Sequence, residues 1–171
     1  MKKITLILFV LLTSLQINAQ SKVGTIDVEF ILSKMPQLEQ VGKDVKAYNA
    51  DLDKQVNVKI SKYQSLIEVY KQNENTFSDT EKKTKQDEII ALEKDIQKFQ
   101  QNATKLSQIK QNELLGPLYQ KIGDALNVIA KENNYSQVFT IDNSIAYLDA
   151  NFDITLKVMT KLGLPLPEQG K

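Results

Sequence analysis

From Leu38 onward, apolar side chains recur at Leu38, Val41, Val45, Tyr48, Leu52, Val56, Ile60, Tyr63, Ile67 and Tyr70. Steps of three and four residues alternate, except for a run of fours between Tyr48 and Ile60. That is a heptad seam carrying one stutter, and it predicts a long amphipathic helix. Pro36 suits the first turn of that helix, where its missing N–H costs nothing. The rhythm lapses over residues 73–83 and returns at Ile89, Leu92, Ile96, Phe99, Ala103 and Leu106. Ser78 or Asp79 offers an N-cap, with Asp79 and Glu81 suited to the positive end of the next helix. Two long helices and a short polar turn predict an antiparallel hairpin over residues 38–116, its tip near 73–83. At ~1.5 Å per residue such an arm reaches roughly 55–60 Å.

Gly116 and Pro117 interrupt this pattern inside NELLGPLYQKIG, yet the helical rhythm resumes at Leu118 and Ile122. Pro117 cannot donate to the carbonyl of Glu113, and Gly116 adds backbone freedom. Both lie opposite the base of the first helix, which makes them the expected junction between arm and body. The body is expected to comprise residues 20–37 and 117–171. KVGTI (22–26) reads as a strand, followed by Asp27 as a helix cap and by the apolar FIL of 30–32. VFTI and IAYL, on either side of Asp142-Asn143-Ser144, predict a β-hairpin. FDITLKVMTKLG predicts a last helix with Asp153 as N-cap and Gly163 as stop. The fold class is therefore α+β, a small strand-containing body carrying a long coiled-coil arm. So small a body has a marginal core by itself, and oligomerisation through its strands is the natural remedy. Val23, Ile26, Val138, Phe139, Ile141 and Tyr147 are the residues expected to serve it.

Composition narrows the chemistry. The chain opens with Lys2 and Lys3, an apolar run from Ile4 to Leu12, and a polar stretch closing on Ala19. That is the layout of a secretory signal peptide over residues 1–19, cleaved after Ala19, and it predicts one exported unit. Without Lys2 and Lys3, 20 lysines face 21 acids, and the chain has no arginine. A near-neutral chain without Arg is a poor nucleic-acid binder, so no nucleic-acid partner is expected. The sequence contains no Cys and no His. Thiol nucleophiles, thiolate metal sites and imidazole bases are thereby excluded, and the chain is not expected to be an enzyme or to use a cofactor or metal. Asp149, Asn151 and Asp153 begin like a calcium loop, but Ile154 and Thr160 occupy the positions where glycine and glutamate are needed. Those acids read as a strand end and a helix cap.

The arm balances 13 lysines against 13 acids, with pairs such as Glu39–Lys43 at helical spacing. Tyr48, Tyr63 and Phe99 fall on the seam. Tyr70 and Phe77 lie near the tip, where exposure and local packing are equally open to them. Lys82, Lys83 and Lys85 cluster there too, among Asp79, Glu81, Asp87 and Glu88, and read mainly as solvated, paired residues.

The stretches KVGTIDVEFILSKMP and GPLYQKIGDALNVIAKENNYSQVFTIDNSIAYLDANFDITLKVMTKLG resemble the Skp/OmpH family of periplasmic chaperones. The second is similar to that family's P-x-Y-x-K-I, A-K-E-N-x-Y, D-N-S and D-I-T elements, in order. The resemblance implies a periplasmic homotrimer, jellyfish-like, whose bodies join through strands and whose arms surround a cavity. There the family holds unfolded outer-membrane proteins without ATP. Client contacts are then expected at Tyr63, Tyr70, Phe77, Lys82, Lys83 and Lys85. Better-studied members have strongly basic tips and arginine-rich surfaces. The mixed-charge tip here departs from that pattern and leaves only weak contact with membrane lipid or lipopolysaccharide. The alternative is a structural coiled-coil envelope protein or adaptor without chaperone activity.

Overall fold

The structure is a computed structural model, and it describes residues 21–142 and 144–167. The expected signal peptide over residues 1–19 lies outside the described residues. The described chain runs from strand β1 (Val23–Ile26) into helix α1 (Val28–Ser33), then the long helices α2 (Gln37–Asn73) and α3 (Asp79–Glu132). Strand β2 (Gln137–Thr140), a 3-10 turn (Ala150–Phe152) and helix α4 (Thr155–Lys161) complete it.

The chain divides into two compact units. One contains the residues up to Val28 together with those from Asp124 onward, and the other is Glu29–Gly123. Residues 29–37 and 117–123, which the sequence places with the body, thus pack with the long helices. α3 belongs to both units, and the division falls inside it.

In the helical unit, the ten seam positions of α2 are all buried or half-buried, while most intervening residues are exposed. Ile31, Leu32 and Met35 of the α1 region are buried, as are Val41 and Leu52 of α2 and Leu118 and Ile122 of α3. The turn obeys local chemistry. Ser78 N–H donates to Glu81 Oε2 at 2.8 Å, and Glu81 N–H returns a longer bond to Ser78 Oγ at 3.4 Å. This reciprocal pairing caps two otherwise unbonded donors at the start of α3. α3 then continues unbroken through Gly116 and Pro117. A proline forfeits one helical bond and crowds the preceding turn, and here the buried side chains on its far side, Leu118 and Ile122, keep the helix going.

In the other unit, β1 and β2 pair in parallel, Val23 with Gln137 through Ile26 with Thr140. The expected β-hairpin between VFTI and IAYL is not formed: among the described residues of 141–149 there is no strand. Asp142 explains part of this. Its carboxylate accepts bonds from the N–H and hydroxyl of Ser144, which makes a local turn rather than a ladder. The N–H of Ile141 meanwhile donates to Ile26, committing VFTI to β1.

The chain beyond the 3-10 turn also returns to β1, where Thr25 bridges Asp153 and accepts from Ile154 N–H. Asp153 accepts from the N–H and hydroxyl of Thr155, and that hydroxyl accepts from Asp27 N–H. The acid thus caps α4 from one residue further out than the sequence suggests, with Ile154 between. Asp149 likewise accepts from Asn151 N–H, so both acids of the calcium-like stretch are engaged with backbone.

Two helix ends use left-handed residues. Asn134 (φ 57°) follows α3, with Tyr135 N–H donating to Ala130, and Gly163 (φ 69°) follows α4, with Leu164 N–H donating to Met159.

The core of this unit is Ile26, Ala125, Ile129, Ile154, Val158 and Met159. Gly24 closes it against Tyr135: a Cβ at position 24 would stand 3.0 Å from two ring carbons of that tyrosine. Gly24→Val should therefore lose roughly 1–3 kcal/mol of stability to overpacking. A melt unchanged from wild type would show that the Tyr135 ring can move away freely.

Candidate functional site

The arm is built from one seam only. Residues nearly equidistant from the turn meet across it: Lys59 Nζ lies 2.6 Å from Asp95, and Gln86 donates to the Tyr70 hydroxyl at 2.8 Å. Lys59 also stands 5.5 Å above the Phe99 ring. These contacts fix the α2–α3 pairing but do not enclose it. Within α2 only Val41 and Leu52 are fully buried, and every other seam residue keeps part of its surface in solvent. Two helices cover one another on one side each, so a seam without a third helix stays half-open.

Further apolar residues lie off the seam altogether. Val58 is 69% exposed and Ile109 52%, and Val69 and Ile90 are also largely open. Val58 and Val69 stand eleven residues apart, three helical turns, and so share one face of α2. Sequence reasoning passed over these four because it followed the seam. Their signal was present, as apolar residues outside the three-four spacing.

The expected contact residues divide by place. Tyr63 is half-buried in the seam. Tyr70 and Phe77 pack on each other at the tip, ring centroids 6.3 Å apart, and both are half-buried. Lys83 is exposed; Lys82 and Lys85 are half-buried, and Lys85 pairs with Glu88 at 2.9 Å. The tip thus presents a small aromatic pair beside partly neutralised lysines. Gly116 and Pro117 are both exposed on α3.

Toward the other end of the same unit, a groove of about 670 Å³ runs between the helices. Its floor includes Leu38, Val41, Val45 and Leu115. At its rim the Tyr119 hydroxyl donates to Glu29 at 3.0 Å. Burial, then the bond to Glu29 and its charge, push the Tyr119 phenol above its ordinary range. The proton therefore stays on Tyr119 through neutral pH.

In the strand-bearing unit, Ile26 is buried and Val23, Val138 and Ile141 are half-buried. Phe139 is 53% exposed and Tyr147 83%, with Phe152 and Leu156 also open. β2 pairs with β1 along one edge, and no described strand covers the other. No helix of the described residues is long and apolar enough to cross a membrane.

The described chain is thus a long α-helical hairpin whose second helix runs on into a small strand-bearing unit. The family model for outer membrane protein (OmpH-like) matches residues 22–162, and the chain belongs to that family. Among solved structures it is similar to a candidate outer membrane chaperone (OmpH-like) from Caulobacter crescentus CB15. That match has a TM-score of 0.62 and 12% identity, and covers 84% of this chain and 85% of the other. At that identity the likeness establishes the fold. No curated protein is significantly similar to the sequence.

The tip also makes a pH prediction. Hydrogen bonds from the Ser78 hydroxyl and N–H hold the Glu81 carboxyl below its usual 4.5. The charged form is favoured in the fold, so this cap is intact above the ordinary carboxylate range and is lost as pH falls through the lowered value. Backbone chemical shifts at residues 79–82 should report fraying of α3 in acid. Glu81→Ala should show similar fraying already at neutral pH. Acid shifts identical in both proteins would remove Glu81 as the cause.

Proposed function

We propose that the protein is an ATP-independent holdase chaperone of the periplasm, a homotrimer that binds unfolded outer-membrane proteins between its helical arms and prevents their aggregation. The observation that carries this reading is the half-open seam, flanked by Val58, Val69, Ile90 and Ile109. A client without fixed structure is best held by many weak, non-directional apolar contacts spread over a long surface. Membership of the OmpH-like family supports the same class and an exported location.

Oligomerisation is supported by the strand-bearing unit. A two-stranded sheet is marginal alone, and a bare β2 edge beside Phe139 and Tyr147 is a surface that further copies can cover. The IAYL run, β-prone yet without a strand partner among the described residues, fits the same role. Gly116 and Pro117 are the one adjacent pair of poor helix formers in α3, and under this reading they let the arm yield on its way to the body. Tip contacts through Tyr70, Phe77, Lys82, Lys83 and Lys85 supplement the seam; contact of these lysines with lipid or lipopolysaccharide is weak.

Dilution of a denatured outer-membrane barrel protein into buffer should give strong light scattering, suppressed several-fold by about one trimer per client. Replacing Val58, Val69, Ile90 and Ile109 together by Ser should weaken that suppression while leaving helicity intact. Unchanged aggregation at several-fold trimer excess would leave a structural envelope arm as the answer. Sedimentation equilibrium should give a trimer, and Phe139→Asp with Tyr147→Asp should shift it toward monomer. A wild-type monomer at micromolar concentration would contradict the oligomeric part alone.

A further inference from the structure

The strand-bearing unit is anchored just ahead of β1, which opens at Val23. The Lys22 carbonyl accepts from the Ser136 N–H at 2.8 Å and from the Ser136 hydroxyl at 3.0 Å. Its Nζ donates to the Asn133 carbonyl at 2.9 Å. The same ammonium lies 4.3 Å from the centre of the Tyr135 ring, the ring that packs on Gly24. These contacts lead into the first rung of the ladder, Val23 opposite Gln137. Ser21 and Lys22 are both exposed to solvent.

Cleavage after Ala19, as the leader pattern predicts, makes Gln20-Ser21-Lys22 the start of the mature chain. Only Gln20 and Ser21 then stand before the anchor. Chain ends are where proteolysis concentrates, and trimming by three residues would remove Lys22 with all of its bonds.

Gln20 itself lies outside the described residues, but a glutamine in first position has a chemistry of its own. It carries a nucleophile, the α-amine, and an electrophile, the side-chain amide carbon Cδ, within reach of a five-membered ring. The ordinary α-amine pKa is about 7.7–8.0, so a fraction is unprotonated near neutrality. Holding both groups in one residue makes their encounter intramolecular. Asparagine would have to close a strained four-membered ring, and glutamate would present an ionised, unreactive carboxylate.

We propose that Gln20 becomes pyroglutamate in the mature protein. The α-nitrogen attacks Cδ, and the new C–N bond closes a lactam. The bond from Cδ to the side-chain nitrogen breaks, and that nitrogen leaves as ammonia, carrying one proton from the α-amine. No oxidant, cofactor or metal takes part. The terminal positive charge disappears, and the mature chain begins with a neutral ring. Aminopeptidases bind a free α-amine, so the ring shields Lys22 and, through it, the pairing of β1 with β2. The inference rests on the exported reading and is independent of the holdase activity.

The test is mass spectrometry of the protein isolated from the envelope of its own cells, analysed at once after cold lysis. Most of the mature chain should be lighter by one ammonia than a chain with open Gln20. N-terminal sequencing should be blocked until pyroglutamyl peptidase removes the ring. Gln20→Ser, made in the same cells, should be exported and fold alike but be readable from the first cycle. Under an aminopeptidase, Gln20→Ser should lose its residues through Lys22 and melt several degrees lower, while wild type keeps its terminus and its melt. A free amine on Gln20 in the mature wild type, or a mature chain beginning elsewhere, overturns the proposal. Equal trimming of the two proteins overturns the shielding role. A chain that keeps Met1 removes the exported reading together with the ring. A free Gln20 removes the ring alone and leaves the suppression of aggregation as it was.

Discussion

Two α-helices lying side by side can close only one stripe of each against the other, and most of the arm follows from that limit. Every seam residue of α2 is at least half-buried, but only Val41 and Leu52 are fully so. Near the base, Ile31 and Leu32 of α1 add apolar surface to the same unit. An arm so constructed is held by helix propensity, paired surface charges and a thin core. It cannot hide all its apolar residues from solvent. Exposure that would be a defect in a compact globular core is, under the proposed holdase reading, the working surface.

The strand-bearing unit faces the complementary problem. Its sheet has two strands, and its ladder joins the two extremes of the chain, Lys22 bonding to Ser136 and Thr25 to Ile154. Such pairings need most of the chain in place before they form. Once formed, they are fixed by close fits: Gly24 under the Tyr135 ring, and the Asp153–Thr155–Asp27 bonds that clip the start of α4 to the end of β1. Among the described residues no strand covers the outer edge of β2, and Tyr147 stays open beside it. The proposed association of copies answers to that edge.

Local chemistry was readable wherever its partners lie within a turn or two. The seam spacing located both long helices, Ser78 and Glu81 located the tip, and Gly163 located the last stop. Reasoning failed at VFTI and IAYL, two β-prone runs that looked like natural partners across Asp142-Asn143-Ser144. β1 outcompeted IAYL for VFTI, and nothing local distinguishes a run that will pair from one that will not. At Gly116 and Pro117 helix propensity is poorest, yet tertiary packing carries α3 through to Glu132. The candidate contact surface was legible in its seam and tip. Val58, Val69, Ile90 and Ile109 were not followed, because they fall outside the seam spacing and only the packing shows them open.

The sequence by itself determined the periodicity, the caps, the balanced charge of the arm and the absence of imidazole and thiol chemistry, since each is a property of neighbouring residues or of composition. Only the tertiary structure decided which strand pairs with β1, where the compact units divide and which apolar residues stay outside the core. Those outcomes are competitions between distant segments for the same buried surface, and a linear pattern does not say which competitor wins.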